Sequence, residues 1–110
     1  MGFKLTQKPT FTTKVTVNIP NDRGGHDKSW FIARFKRLTT AELEELLGSG
    51  LSDEELVRRV LVDWEMKDED TGEDVPFNNA TLDAVMLIRP TSSVTARAFI
   101  DTVIGARAKN

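Results

Sequence analysis

The change in hydrophobic period after Leu38 constrains the fold of this chain more than any other sequence feature. In residues 11–19, apolar or β-branched residues alternate with polar ones, which is the period of two typical of a strand with one buried face. Beyond Leu38, apolar residues recur at helical spacing. The sequence therefore predicts an α+β fold, in which an N-terminal antiparallel β-hairpin packs on or beside about four short helices.

The hairpin is predicted from two runs separated by a loop. The first run stops at Pro20, and residues 21–27 are rich in Asn, Asp and Gly, which favour turns. The second run, Ser29 to Leu38, places apolar residues on one face and two apolar and two basic residues on the other, namely Trp30, Ile32, Arg34 and Lys36. A two-stranded hairpin is marginal in water, so its apolar face must cover the helices or pair with a strand of another subunit.

Helix starts are marked by residues that cap free backbone amides. Thr39 with Glu42 and Ser52 with Glu55 have the spacing of capping boxes, Asn78 is a predicted cap of a third helix, and Thr91 or Ser92 begins a fourth. The predicted apolar stripes are Leu43, Leu46 and Leu47; Val57, Val60, Leu61 and Trp64; Leu82, Val85 and Met86, with Leu87 as a further candidate; and Ala96, Phe99, Ile100, Val103 and Ile104. We expect a single domain, residues 1–110, with a hairpin region 9–38 and a helical region 39–107.

The formal net charge of -2 conceals an uneven distribution. Residues 1–38 sum to +6, residues 39–85 to -11 and residues 86–110 to +3, which together give the total of -2. Such asymmetry favours either head-to-tail self-association or a charged partner. The alternative is that the segments neutralise each other within one fold.

Residues that commonly carry chemistry are scarce. Zero Cys and one His exclude disulfides, thiolate sites and a pair of catalytic histidines. If the acidic loop at residues 68–74 bound calcium in the usual way, its sixth position would be Gly and its twelfth Glu, but they are Glu73 and Asn79. The loop is instead interpreted as a turn, and residues 24–26 lack the signature of a phosphate-binding loop. We expect no enzyme activity, no metal and no cofactor.

The hairpin is the predicted region of partner contact. Its aromatic residues Trp30, Phe31 and Phe35 are interleaved with basic ones, a pattern seen in single-stranded nucleic-acid binding, although the acidic middle would repel phosphate. Nucleic acid is therefore not the expected partner. The candidate partner-contact residues are Trp30, Arg34, Lys36, Arg37, Arg107 and Lys109. No basic leader followed by an apolar stretch and no run of about 18 apolar residues is present, so we expect neither secretion nor a membrane span.

The second half of the chain resembles the tail assembly chaperones of long-tailed, lambda-like bacteriophages. The resemblance is carried by the order of short motifs, which are Val62-Asp63-Trp64, Asp68-Glu69-Asp70 with Gly72, Val75-Pro76-Phe77-Asn78, Leu82, and Ala98-Phe99-Ile100-Asp101 before the basic ending at residues 105–110. Two departures are an inserted Thr71 and Asn78 at a position where Ser is expected. The residues matched to the family pattern are Trp64, Asp70, Gly72, Pro76, Phe77, Asn78, Leu82 and Phe99.

The resemblance implies a non-enzymatic protein of the host bacterial cytoplasm. Such chaperones self-associate, coat the aggregation-prone tape-measure protein until tail-tube subunits polymerise around it, and are absent from the mature virion. In many relatives, a frameshift near the end of the gene appends a second domain. Two alternatives remain open, a structural tail-tube or head-tail connector protein whose hairpin pairs between subunits, and a nucleic-acid-binding accessory protein.

Overall fold

A computed structural model describes residues 1–105 of the chain, as one three-stranded antiparallel sheet and four helices. The sheet order is β1-β2-β3. In chain order the elements are β1 Thr10–Pro20, β2 His26–Lys36, α1 Thr40–Leu47, α2 Asp53–Val60, β3 Leu61–Glu65, α3 Asn79–Met86 and α4 Thr91–Ile104. The predicted α+β class is confirmed. The predicted Arg107 and Lys109 contacts lie outside the described residues.

The predicted antiparallel hairpin is confirmed, although β2 ends at Lys36, two residues before the predicted end at Leu38. β1 and β2 pair from Thr10 opposite Lys36 to Pro20 opposite His26. The inner face holds Val15, Val17, Phe31, Ala33 and Phe35, all buried. β2 starts three residues before its predicted start, because the connecting loop needs only residues 21–25, where Asn21 Oδ1 accepts hydrogen bonds from the Arg23 and Gly25 amides at 3.0 Å each.

The predicted helical placement of Leu61 and Trp64 is wrong. α2 ends at Val60, and the next five residues form β3, in which Trp64 lies opposite Ala33 of β2. The register shifts between Arg34 and Phe35, so Val62 is an extra residue on β3 and forms a bulge. Because a bulge interrupts the period of two, two residues three positions apart both face the core. That spacing is also the spacing of a helical stripe, which explains the wrong prediction.

The core lies between the inner face of the sheet and the helices. The Phe35 and Phe99 rings meet edge to face at 5.2 Å, and Phe11 stacks on Phe99 at 6.1 Å. α4 packs on β1 and on α2. α1 is peripheral and buries none of its residues, and Ile104 at the end of the predicted α4 stripe is exposed. The core therefore depends on the sheet, α2 and α4 more than on α1.

Residues 1–9 form an arm that enters β1 and has neither helix nor strand. The arm is tied to the sheet at its end, where the Arg37 amide donates to the Pro9 carbonyl at 2.8 Å and Arg37 Nε donates to the Lys8 carbonyl at 2.8 Å. Phe3 and Leu5 are 86% and 89% exposed. Within residues 1–105, none of the helices combines the length and the apolar character that crossing a bilayer requires.

Both predicted capping boxes are present. In each box the hydroxyl accepts from the amide three residues on, and the glutamate accepts from the amide of the cap residue, at 2.8 Å for Glu42 to Thr39 and 3.0 Å for Glu55 to Ser52. These backbone hydrogen bonds lower the pKa of Glu42 and of Glu55 below the ordinary 4.5. The carboxylates are therefore more easily ionised in the folded chain than in the unfolded chain.

The lowered pKa values predict a loss of stability in acid. A depressed folded-state pKa contributes stability that is present above the unfolded pKa and is lost as the pH falls through the folded value. We expect the free energy of unfolding, measured by urea titration, to fall as the pH is lowered below about 4.5. The Glu42→Gln/Glu55→Gln variant should show a shallower decline, whereas Glu45→Gln, outside the boxes, should follow the wild type. Equal slopes in all three proteins would contradict this assignment.

Candidate functional site

An open apolar groove lies at the end of the sheet that carries the loop between β1 and β2. Its volume is about 890 Å³, which is within the range of ligand-binding pockets in proteins. The buried side chains Val17, Phe31 and Trp64 line it. Its more exposed apolar lining consists of Ile19, Trp30, Met66, Val75, Pro76, Phe77, Val85 and Ile88. The groove thus joins the sheet, the segment after β3 and the region around α3.

Trp64 organises this groove. Its indole Nε1 donates to the Val75 carbonyl at 2.8 Å, and its ring meets Phe77 edge to face at 4.9 Å and Phe31 at 6.0 Å. The hydrogen bond satisfies a polar group that would otherwise be buried without a partner. Three residues of the family pattern, Trp64, Pro76 and Phe77, therefore come together at one surface.

Three other residues of the family pattern cap a helix or pack in the core. Asn78 caps α3, since its Oδ1 accepts from the Thr81 amide at 2.9 Å while Thr81 Oγ1 accepts from the Asn78 amide at 3.1 Å, which confirms the predicted cap. Leu82 is buried on α3, and Phe99 is fully buried against Phe35. These residues set where α3 and α4 lie and do not line the groove.

The acidic loop is a tight chain reversal, as predicted. Asp68 Oδ1 accepts from the amides of Asp70 and Thr71 at 2.9 and 3.2 Å, and Gly72 has the positive φ of 75° that favours glycine. The Lys67 and Asp74 side chains form an ion pair at 2.7 Å across its base. Within residues 1–105, His, Asp and Glu side chains form no cluster of three or more suited to a metal ion. The Asp68 carboxylate is engaged by backbone amides.

The outer face of β1 and β2 is basic. Lys14, Lys28, Arg34 and Lys36 are exposed on it together with Trp30, which is 58% exposed and lies under the Lys14 ammonium at 4.7 Å. Arg37 lies at the base of the sheet, 5.5 Å from the Phe11 ring. Phe31 and Phe35 face the core, so the predicted row of three aromatic residues for stacking on bases is reduced to Trp30.

The charged residues that line the groove are mainly acidic. Its lining includes Asp63, Glu65, Glu69 and Asp74 against Lys28 and Lys67. The ion pairs of Arg58 with Glu54 and Asp83, at 3.0 and 2.8 Å, and of Lys67 with Asp74 all join residues of the acidic middle segment. The cations of β1 and β2 take no part in these pairs and remain on an exposed face.

Sequence reasoning identified Trp64 and Phe77 but not the groove. Ile19, Val75 and Ile88 belong to three segments far apart in the chain, and β3, which brings them together, was predicted as helix. The alternation in β1 and β2 signalled the sheet face, but periodicity carries no information about which part of that face the helices leave uncovered.

Comparisons with family models, with curated proteins and with solved structures give no match to this chain. A functional proposal therefore rests on the resemblance in its motifs and on the chemistry of these surfaces.

Truncating Trp64 tests its structural role. Trp64→Ala removes a buried ring and its hydrogen bond, and should lower the free energy of unfolding by about 3 to 5 kcal/mol. Trp30→Ala is the matched control, because Trp30 lies on the exposed outer face and its loss should cost well under half as much. Urea denaturation followed by circular dichroism measures both. Equal losses in the two variants would contradict the assigned environments.

An apolar dye tests whether the groove is open in solution. The native protein should enhance the fluorescence of anilinonaphthalene sulfonate, because Val85 and Ile88 offer accessible apolar surface beside Trp64. Ile88→Asp should weaken this enhancement. Leu87→Asp changes a neighbouring residue that is 84% exposed and outside the groove lining, and should leave it unchanged. An identical signal in all three proteins would contradict dye binding at this groove.

Proposed function

We propose that this protein is a non-enzymatic tail assembly chaperone of a long-tailed bacteriophage or prophage. It self-associates in the host cytoplasm, covers the tape-measure protein during tail assembly, and leaves before the virion is mature. The observation that carries the proposal is the position of Trp64, Pro76 and Phe77. These residues, which belong to the motifs that resemble the family, line an open apolar groove.

The chemistry of the groove suits a protein client. A long helical tape-measure protein exposes apolar stripes before the tail tube surrounds it, and apolar surface of matching shape covers them without a covalent step. The Met66 side chain in the lining is flexible, which favours contacts with varied partners. Many copies along one client hold it by avidity, so that each contact can stay weak enough to release when tube subunits arrive.

The disposition of polar groups supports a binding role. His26, the one imidazole, is exposed at the start of β2 and is absent from the groove lining. Glu42, Glu55 and Asp68 accept hydrogen bonds from backbone amides of caps and of the turn. These carboxylates stabilise helix starts and a chain reversal, which accounts for them without catalysis.

Co-expression with the tape-measure protein from the same genome tests the function. The wild type and Leu87→Asp should keep the tape measure in the supernatant and co-purify with it, whereas Ile88→Asp should do so less, because a charge in the groove opposes burial of apolar client surface. A tape measure that is equally soluble without this chain and never co-purifies with it would show that the proposal is wrong.

A structural virion protein is the second candidate. It is favoured by the outer edge of β1, 11 residues long, which has no partner strand among residues 1–105 and offers its backbone to another subunit. Detection of the protein in purified virions would favour this candidate over the chaperone. For the nucleic-acid alternative, binding to single strands should weaken steeply with salt and with Trp30→Ala.

A further inference from the structure

Part of β2 has an unpaired backbone edge that opens into the groove. β3 pairs with β2 only from Ile32 to Phe35, while β1 pairs with β2 down to His26. On the side away from β1, residues 26–31 therefore lack a neighbouring strand within the described part of the chain. Consecutive residues 28–31 all line the groove. Because alternate side chains point to opposite faces of a strand, lining by consecutive residues means that the groove reaches the strand edge itself.

The N-terminal arm has the alternating apolar and polar residues of a β-strand, but it is not paired with the sheet. Met1, Phe3 and Leu5 alternate with Gly2, Lys4 and Thr6, so that an extended arm carries its apolar side chains on one face. Phe3 and Leu5 are almost fully exposed. Exposed large apolar side chains at strand spacing favour burial against an apolar surface beside a free strand edge.

The arm is too short to fill the groove of its own chain. The Pro9 carbonyl accepts a hydrogen bond from the Arg37 amide, which holds Pro9 at that end of the sheet. The groove residue of β2 nearest to this end is Phe31, which lies opposite Val15. Val15 is six residues from Pro9 along the strand, a distance of about 20 Å. The open edge of β2 lies two strand positions from β1, about 10 Å across the sheet. Fully extended, the chain from Pro9 back to Leu5 spans only about 14 Å and back to Phe3 about 20 Å. The near end is about 22 Å away, so Leu5 cannot reach it and the arm cannot lie along residues 28–31 of its own chain.

The charges of the arm and of the groove are opposite in sign. The groove lining has four carboxylates, those of Asp63, Glu65, Glu69 and Asp74, against the two cations Lys28 and Lys67. In an extended arm, the Lys4 side chain lies on the face opposite Phe3 and Leu5. A strand added along residues 28–31 would therefore place apolar side chains in the groove and a cation near its acidic border.

We propose that the arm of one copy of this protein docks in the groove of another copy and adds a strand to the free edge of β2. The contact is heterologous, because arm and groove are different surfaces, so it builds head-to-tail chains or rings. The proposal rests on the self-association in the proposed function and supplies its mechanism. Because the arm and a client segment occupy the same groove, the arm covers the apolar surface until the client displaces it.

Sedimentation of the full chain over a wide concentration series tests the docking. The wild type should form oligomers whose mean mass rises with concentration. Phe3→Ser/Leu5→Ser, which removes the apolar side chains of the arm, and Ile88→Asp, which charges the groove, should each raise the dissociation constant by about a hundredfold. The matched controls Leu87→Ser and Leu87→Asp should assemble as the wild type does.

Mixing the two defective variants separates this mechanism from others. The arm variant keeps its groove and Ile88→Asp keeps its arm, so an equal mixture should give dimers and stop there. A peptide of residues 1–8 should dissociate wild-type oligomers. Oligomers that survive in both variants would overturn arm docking alone, and the co-expression result would be unaffected. A wild type that stays monomeric throughout would overturn both arm docking and self-association.

Discussion

The indole of Trp64 is the interaction on which the rest of the structure depends. Its hydrogen bond to the Val75 carbonyl and its edge-to-face contacts with Phe31 and Phe77 connect β3 to the chain that returns from the acidic turn. The returning segment leads directly into Asn78, the cap of α3. Since α3 and the returning segment supply one side of the apolar groove, the same ring holds the core and the candidate site together.

Three of the acidic residues described above bind backbone amides. Glu42 and Glu55 accept from cap amides, and Asp68 accepts from amides inside its turn. Satisfying these groups with short-range hydrogen bonds sets where helices begin and where the chain reverses, because an unpaired amide at such a point is costly. These three carboxylates thus have a structural use within the chain.

Three surfaces give this small domain its capacity for contact, namely the apolar groove, the exposed arm and the basic outer face of the sheet. The groove is apolar with an acidic border, the arm carries the exposed Phe3 and Leu5, and the basic face carries Trp30 beside Lys14. Contacts that are individually modest and repeated over many copies suit a protein that covers a long client and then releases it. This arrangement connects the proposed chaperone function with the proposed mode of assembly.

The sequence by itself determined the local structure. Alternation in residues 11–19 identified the buried face of the hairpin, and Thr39, Ser52 and Asn78 marked the helix starts, because periodicity and capping act between residues close in the chain. Only the tertiary structure decided that Leu61 and Trp64 lie on a bulged strand, since a bulge gives the same three-residue spacing as a helix. The tertiary structure also determined the position of the groove and the free edge of β2. β3 ends at Glu65, level with Ile32, so the rest of β2 toward His26 has no strand on that side and instead borders segments that are distant in sequence.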